Sequence, residues 1–173
     1  MTRRKMGMTY CMQYQTYSQQ QTITLGKKIA TSFRGGDIVL LEGELGAGKT
    51  TLVKGIVKHF GIKNNITSPT FTLMNIYQVK SRKVQKSLKS KTLSMSSLRK
   101  QGSITQMVHI DTYRLKNEKD LIEIGVEDYL GAPETVCLIE WPEKLRGLLK
   151  GRRVKKIRIE YQEKNVRKIV VND

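Results

Sequence analysis

The chain has 173 residues, 38% of them hydrophobic, and a formal net charge of +17 at pH 7. That length suits one domain with a sizeable core. No apolar run approaches the roughly 20 residues of a membrane span, and the charged start has no hydrophobic stretch behind it to make a secretory signal. The cysteines, Cys11 and Cys137, are far apart without a partner motif, which supports neither a disulfide framework nor a zinc site; the expected compartment is the cytoplasm.

Residues 1–14 are expected to be flexible. Over 22–33, Leu25, Ile29 and Phe33 fall on one helical face, with Thr22 as a cap and Gly35-Gly36 as the stop. A strand follows at about 37–42. Its apolar run Ile38-Val39-Leu40-Leu41 leads into Gly43-Glu44-Leu45-Gly46-Ala47-Gly48-Lys49-Thr50. This is the complete G-x-x-x-x-G-K-[ST] phosphate-binding pattern, in the strand–loop–helix context it requires. Its glycines let successive N–H groups point at an anion, and the helix that follows adds its positive N-terminal end. Lys49 can reach the outer phosphates and the Thr50 hydroxyl can ligate Mg²⁺. The pattern implies a nucleoside triphosphate ligand.

The helix after the loop is expected over about 49–60, stopped by Gly61. Then come the turn Thr67-Ser68-Pro69-Thr70-Phe71, an extended run over 72–77, and a strand at Met107–Ile110. A short acidic helix spans Glu118–Ile124, with a further helical turn near 127–130. Thr135–Ile139 reads as a strand buried on both faces. Pro142 opens a helix running to about Leu149. Val154–Tyr161 and Val166–Val171 alternate as an antiparallel hairpin around Glu163-Lys164-Asn165. Strands alternating with helices around a phosphate loop give an α/β fold: a P-loop NTPase-like three-layer sandwich with a mainly parallel sheet and a C-terminal antiparallel hairpin. The nucleotide belongs at the carboxyl ends of the strands.

Residues 78–106 interrupt this order. The segment carries eight Lys or Arg, no Asp or Glu, and many serines. A structureless stretch of this length is rare inside a compact domain. It reads as a disordered basic insertion, with an RNA-contacting arm as the functional alternative. Without those eight charges the net +17 would fall to +9. Much of the remainder lies in the C-terminal third, as a solvated face or a surface for phosphate backbone or an acidic protein.

A triphosphate site also needs a carboxylate for Mg²⁺ or its water shell. Glu140 ends the buried run Leu138-Ile139-Glu140-Trp141 and supplies one. His109-Ile110-Asp111-Thr112-Tyr113-Arg114 places His109, Asp111 and Tyr113 on one face of an extended chain. There Asp111 can orient water or touch the metal. Arg114 can stabilise phosphate charge or pair with Asp111. Ser68-Pro69-Thr70 sits where switch loops sense a γ-phosphate.

Together, Leu40–Thr51, Ser68–Thr72, His109–Leu115 and Ile139–Glu143 occur in an order that resembles the bacterial TsaE (YjeE) family, the ATPases of tRNA threonylcarbamoyladenosine biosynthesis. The resemblance covers roughly 15–160 apart from the insertion. It implies a slow Mg²⁺-dependent ATPase, working with two partner proteins (TsaB-like and TsaD-like) and contacting tRNA indirectly. ATP would be held by Glu44, Leu45, Gly46, Ala47, Gly48, Lys49, Thr50, Thr51, Thr70 and Trp141. Thr50 and Glu140 would hold Mg²⁺, and Lys49, Asp111 and Glu140 would act in hydrolysis. A P-loop kinase and a nucleotide-gated RNA-binding protein are the competing functions.

Overall fold

The computed structural model describes residues 2–6, 9–63, 66–69, 71–79 and 104–172. Eight strands form one sheet: β1 (Thr2–Met6), β2 (Thr9–Thr16), β3 (Ile38–Glu42), β4 (Met74–Gln78), β5 (Gln106–Asp111), β6 (Thr135–Glu140), β7 (Val154–Glu163) and β8 (Val166–Asn172). Their spatial order is β1-β2-β8-β7-β3-β6-β5-β4. The centre, β7-β3-β6-β5, is parallel, and both flanks are antiparallel. This is the P-loop NTPase-like fold expected, with the parallel pairing confined to the central four strands.

Alternation along the central strands divides the core between two faces. On one side Val39, Leu41, Met107, Val136, Leu138, Ile157 and Ile159 meet the helices α1 (Gln19–Ala30) and α2 (Lys49–His59). On the other, Ile38, Leu40, Val108, Ile110, Cys137 and Ile139 are covered by Leu115, Leu121, Val126, Leu130 and Leu145. The covering layer there is thin. It consists of α3 (Lys119–Glu123), two 3-10 turns at Val126–Asp128 and Pro142–Lys144, and connecting loops. Every residue of β6 is buried, as its unbroken apolar run implies. Among the described residues no helix is long and apolar enough to cross a membrane.

Helices α1 and α2 cross at Gly26 and Gly55. A methyl group added at Gly55 would lie 2.1 Å from the Ile23 carbonyl oxygen, and one at Gly26 would lie 2.4 Å from that of Leu52. Because both obstacles are backbone, Gly55→Ala should push the helices apart and destabilise the fold by about 1–3 kcal/mol. Urea unfolding of the purified variant measures this; a wild-type midpoint would contradict the close crossing.

Three segments differ from the sequence expectation. Helix α1 starts at Gln19, capped by Ser18, whose hydroxyl accepts from the Gln21 N–H at 3.1 Å. Thr22 is instead inside the helix, its hydroxyl 2.8 Å from that of Thr16. The apolar periodicity misses this first turn because Gln19-Gln20-Gln21 is wholly polar. Before Thr22, where 1–14 is expected to be flexible, Thr9–Thr16 is a strand paired with β8, and Met12 and Tyr14 pack onto the core. After Pro142 only a 3-10 turn forms, not a helix to Leu149. Contacts across the fold tie that stretch down: its Lys144 donates to the carbonyls of Tyr113 and Leu115 at 2.7 and 2.8 Å, and Glu118 accepts from the Gly147 N–H at 2.7 Å.

β4 and β5 form an antiparallel pair, and the Val79 N–H continues their ladder to the Thr105 carbonyl at 2.7 Å. The body of the expected insertion, 80–103, lies outside the described residues. Its two ends therefore meet at the start of β5, whereas the site residues lie at the strand's other end.

Candidate nucleotide site

Parallel pairing places the site. β3 delivers the glycine-rich loop, and the register sets Leu41 beside Glu140 and Asp111 beside Glu140 on the neighbouring strand ends. Two carboxylates distant in sequence thus come to the mouth of the loop, where open α/β sheets bind ligands. Gly43 has φ +144, and a Cβ there would lie 2.3 Å from the Ile159 carbonyl oxygen. Only glycine lets the chain turn this close to β7.

Lys49 is 5% exposed. Its ammonium donates to the carbonyls of Gly43 (2.6 Å) and Glu44 (2.9 Å) and lies 3.8 Å from the centroid of the Trp141 ring. Burial lowers its pKa from the ordinary lysine value, while Glu140, Asp111 and Glu143 pull it back up. The lysine is folded onto its own loop, within a side chain's reach of incoming phosphates.

Glu140 is buried and makes two side-chain contacts. Its carboxylate accepts from the Thr50 hydroxyl at 3.3–3.4 Å and meets His109 Nε2 at 3.0 Å. His109 is fully buried, and its Nδ1 has no hydrogen-bond partner among the described residues. Asp111 accepts from the Ser68 hydroxyl and from the Tyr113 N–H, the latter at 2.9 Å. The Ser68 loop is thereby tied to the second acid. Trp141 adopts φ +59, a left-handed conformation that a bulky residue keeps only when its surroundings impose it. The Thr112 hydroxyl donates to its carbonyl, and the Tyr113 ring lies 5.0 Å away.

A cavity of about 280 Å³ opens among these groups, lined in part by Lys49, Thr50, Ser68, Asp111, Glu140 and Trp141. The structure therefore brings the expected acids, loop lysine, loop threonine and tryptophan together. Gly46, Gly48 and Thr51 line the same cavity, as does Leu45, which is 73% exposed at the loop tip. Glu44 contributes its carbonyl to Lys49. Ala47 is buried, and its carbonyl accepts from Arg167 Nε at 2.9 Å. Thr70 lies outside the described residues. Arg114 lies over the exposed ring of Phe71, 4.5 Å from its centroid.

Among the described residues no group of three His, Cys, Asp or Glu could hold a metal. A magnesium site does not need one. Mg²⁺ in nucleotide sites takes one or two protein oxygens and fills its octahedron with phosphate and water. The converging Thr50 hydroxyl and Glu140 carboxylate fit that requirement.

Arg167 carries no motif, and reading the sequence does not assign it to the site. Other basic residues of the C-terminal third are likewise engaged internally: Arg158 with Glu42 at 3.2 Å, Lys168 with Glu160 at 3.2 Å, and Arg152 with the Leu130 carbonyl at 2.6 Å. Much of that charge is part of the fold's own polar framework.

A glycine-rich loop between a parallel strand and a helix, faced by carboxylates at the ends of the adjacent strand β6 and the next strand β5, defines a P-loop NTPase-like protein. Residues 16–169 match the family model of "Threonylcarbamoyl adenosine biosynthesis protein TsaE". The chain belongs to the TsaE family. It is 36% identical over 133 residues to the tRNA threonylcarbamoyladenosine biosynthesis protein TsaE of Rickettsia felis, spanning 76% of this chain and 63% of that protein. It is 29% identical over 130 residues to that of Bacillus subtilis, spanning 75% and 66%. The crystal structure of Bacillus subtilis YdiB superposes with a TM-score of 0.66 at 24% identity, covering 96% of this chain and 88% of that one, and shares the fold.

Proposed function

We propose that this chain binds Mg²⁺-ATP and hydrolyses it slowly in the service of tRNA threonylcarbamoyladenosine formation, acting with two partner proteins of the TsaB and TsaD kinds. The observation that carries this reading is the meeting of Lys49, Thr50, Asp111 and Glu140 at one cavity in a chain of the TsaE family. The loop N–H groups and the α2 N-terminus neutralise phosphate charge. Lys49 exchanges the carbonyls of Gly43 and Glu44 for the outer phosphates. Thr50 and Glu140 would hold Mg²⁺, which when bound would supply positive charge beside the phosphates. His109 fixes the Glu140 carboxylate from behind, and Asp111 orients the attacking water. Ser68, bonded to Asp111, links that acid to the loop bearing Thr70.

Two results test the chemistry. Phosphate release by the chain, alone and with the two partners, should require Mg²⁺. Asp111→Asn should lower turnover by about 10²-fold while leaving ATP affinity within a few-fold, as expected for a group acting mainly in the transition state. Phosphoryl transfer to a small acceptor without partners would favour a kinase instead. The internal pairing of C-terminal basic residues weighs against nucleotide-gated RNA binding. Replacing 80–103 by a short turn should leave ATP affinity unchanged, because the flanking strands meet at the end of β5 opposite Asp111. Titration of that variant with ATP checks it; a tenfold loss would tie the segment to the site.

A further inference from the structure

Another cavity, of about 460 Å³, lies where α1 meets the far half of α2. Lys27, Lys54, Lys58 and Lys63 line it, and no acidic residue does. The fold puts these lysines together. The close crossing at Gly26 and Gly55 brings their neighbours Lys27 and Lys54 to one cavity. Lys58 follows Lys54 by one helical turn, on the same face. Gly61, at φ +72, then ends α2 and turns the chain back. The Ile62 N–H bonds to the Val57 carbonyl at 3.3 Å, and Lys63 returns to the cavity beside Lys58.

Four like charges around one cavity repel one another. Among the described residues none of the four lysines makes an ion pair or a side-chain hydrogen bond, whereas Arg158, Lys168 and Arg152 are engaged inside the fold. The negative ends of the helices account for Lys27 and Lys58, which lie in last turns. They do not account for half-buried Lys54 in the middle of α2, or for Lys63 beyond it. Two features select the anion that would relieve the repulsion. The apolar floor, Val57, Ile62 and Ile66, is at most 8% exposed, so it offers little surface to the anchor side chain that a protein partner inserts. The cations are all lysines, compact point charges that suit phosphate oxygens, with none of the arginine forks that grip carboxylates at two points. No aromatic ring lines the cavity for a base to stack on.

We propose that this cavity is a docking surface for the phosphate backbone of RNA, held by charge and not by base sequence. Lys54 and Lys58 lie roughly 8 and 14 Å further along α2 than Lys49. The surface is therefore separate from the nucleotide site and binds RNA with or without ATP. The contact is direct, whereas the family resemblance implies only an indirect one. The choice of tRNA as the RNA rests on the proposed function above; the surface itself rests on the four lysines.

Fluorescence anisotropy of a labelled, unmodified tRNA transcript, titrated with the full chain over a range of salt concentrations, tests this. Lys27→Gln, Lys54→Gln, Lys58→Gln and Lys63→Gln together should weaken tRNA binding by about tenfold or more near 0.1 M salt. The slope of log affinity against log salt should fall by about three, since each lost phosphate contact removes nearly one. Glutamine keeps the helix propensity, and relief of the repulsion should leave the urea midpoint at or above wild type. Lys58→Gln with Lys63→Gln, both exposed, repeats the test without touching Lys54 and should lower the slope by about two. A control with Lys116→Gln, Lys119→Gln, Lys150→Gln and Lys164→Gln removes the same charge from exposed positions elsewhere and should change the slope by less than about one. All these variants keep 80–103, so its charges cancel in the comparison. No tRNA binding by wild type, or a wild-type slope in both cavity variants, would overturn the proposal, as would an equal loss in the control. Loss of poly-glutamate binding in the cavity variants, with tRNA binding at the wild-type level, would overturn it in favour of an acidic protein. Lysine-dependent tRNA binding by a chain that does not support tRNA modification would leave the surface standing and overturn the proposed function.

Discussion

Lys49→Ala should abolish measurable ATP binding, with an affinity loss of roughly 100-fold or more, because one charged contact to the phosphates and the loop's own order are lost at once. In the structure the ammonium bridges the Gly43 and Glu44 carbonyls and stacks on Trp141. Its removal leaves two loop carbonyls and the Trp141 face without their cation, and takes the lysine's charge from the outer phosphates. Lys49→Arg should recover little: a planar fork does not replace a compact ammonium at this depth. Fluorescence of Trp141, the chain's one tryptophan, offers the readout. It should change on adding Mg²⁺-ATP to wild type and stay constant in Lys49→Ala. An unaltered ATP titration in the variant would remove the loop from the account.

Glu140→Gln should separate binding from turnover. The carboxylate is buried and shared by Thr50 and His109. An amide preserves its volume but loses the charge that holds Mg²⁺. Turnover should fall by about 10²–10³-fold, in the range seen when a preorganised charge is removed from a transition state, with ATP affinity within about tenfold of wild type. The Mg²⁺ concentration giving half-maximal hydrolysis should rise. Wild-type turnover in Glu140→Gln, with Asp111→Asn also active, would dismiss both strand-end acids from the chemistry.

How far the sequence reveals this site depends on the range of the interactions that build it. The loop and its strand are local signals: an apolar run, glycines at fixed spacing, then Lys49-Thr50. Glu140 and Asp111 are legible because each ends a buried strand, and parallel pairing then sets them side by side. The Pro142 stretch misleads because its local signal, a proline at a first turn, is overridden by Lys144 and Glu118 reaching across the fold. Strand β2 is missed because a mixed polar–apolar stretch becomes a strand here through pairing with β8. Arg167 is invisible for the same reason, since its contact with Ala47 spans 120 positions.

The most direct test of the central claim is the amount of threonylcarbamoyladenosine formed in tRNA by the two cognate partner proteins, with and without this chain and ATP. Wild type should restore multiple turnovers, and Lys49→Ala should not. A chain that binds ATP yet leaves product formation unchanged with active cognate partners would contradict the account and bring the kinase reading forward.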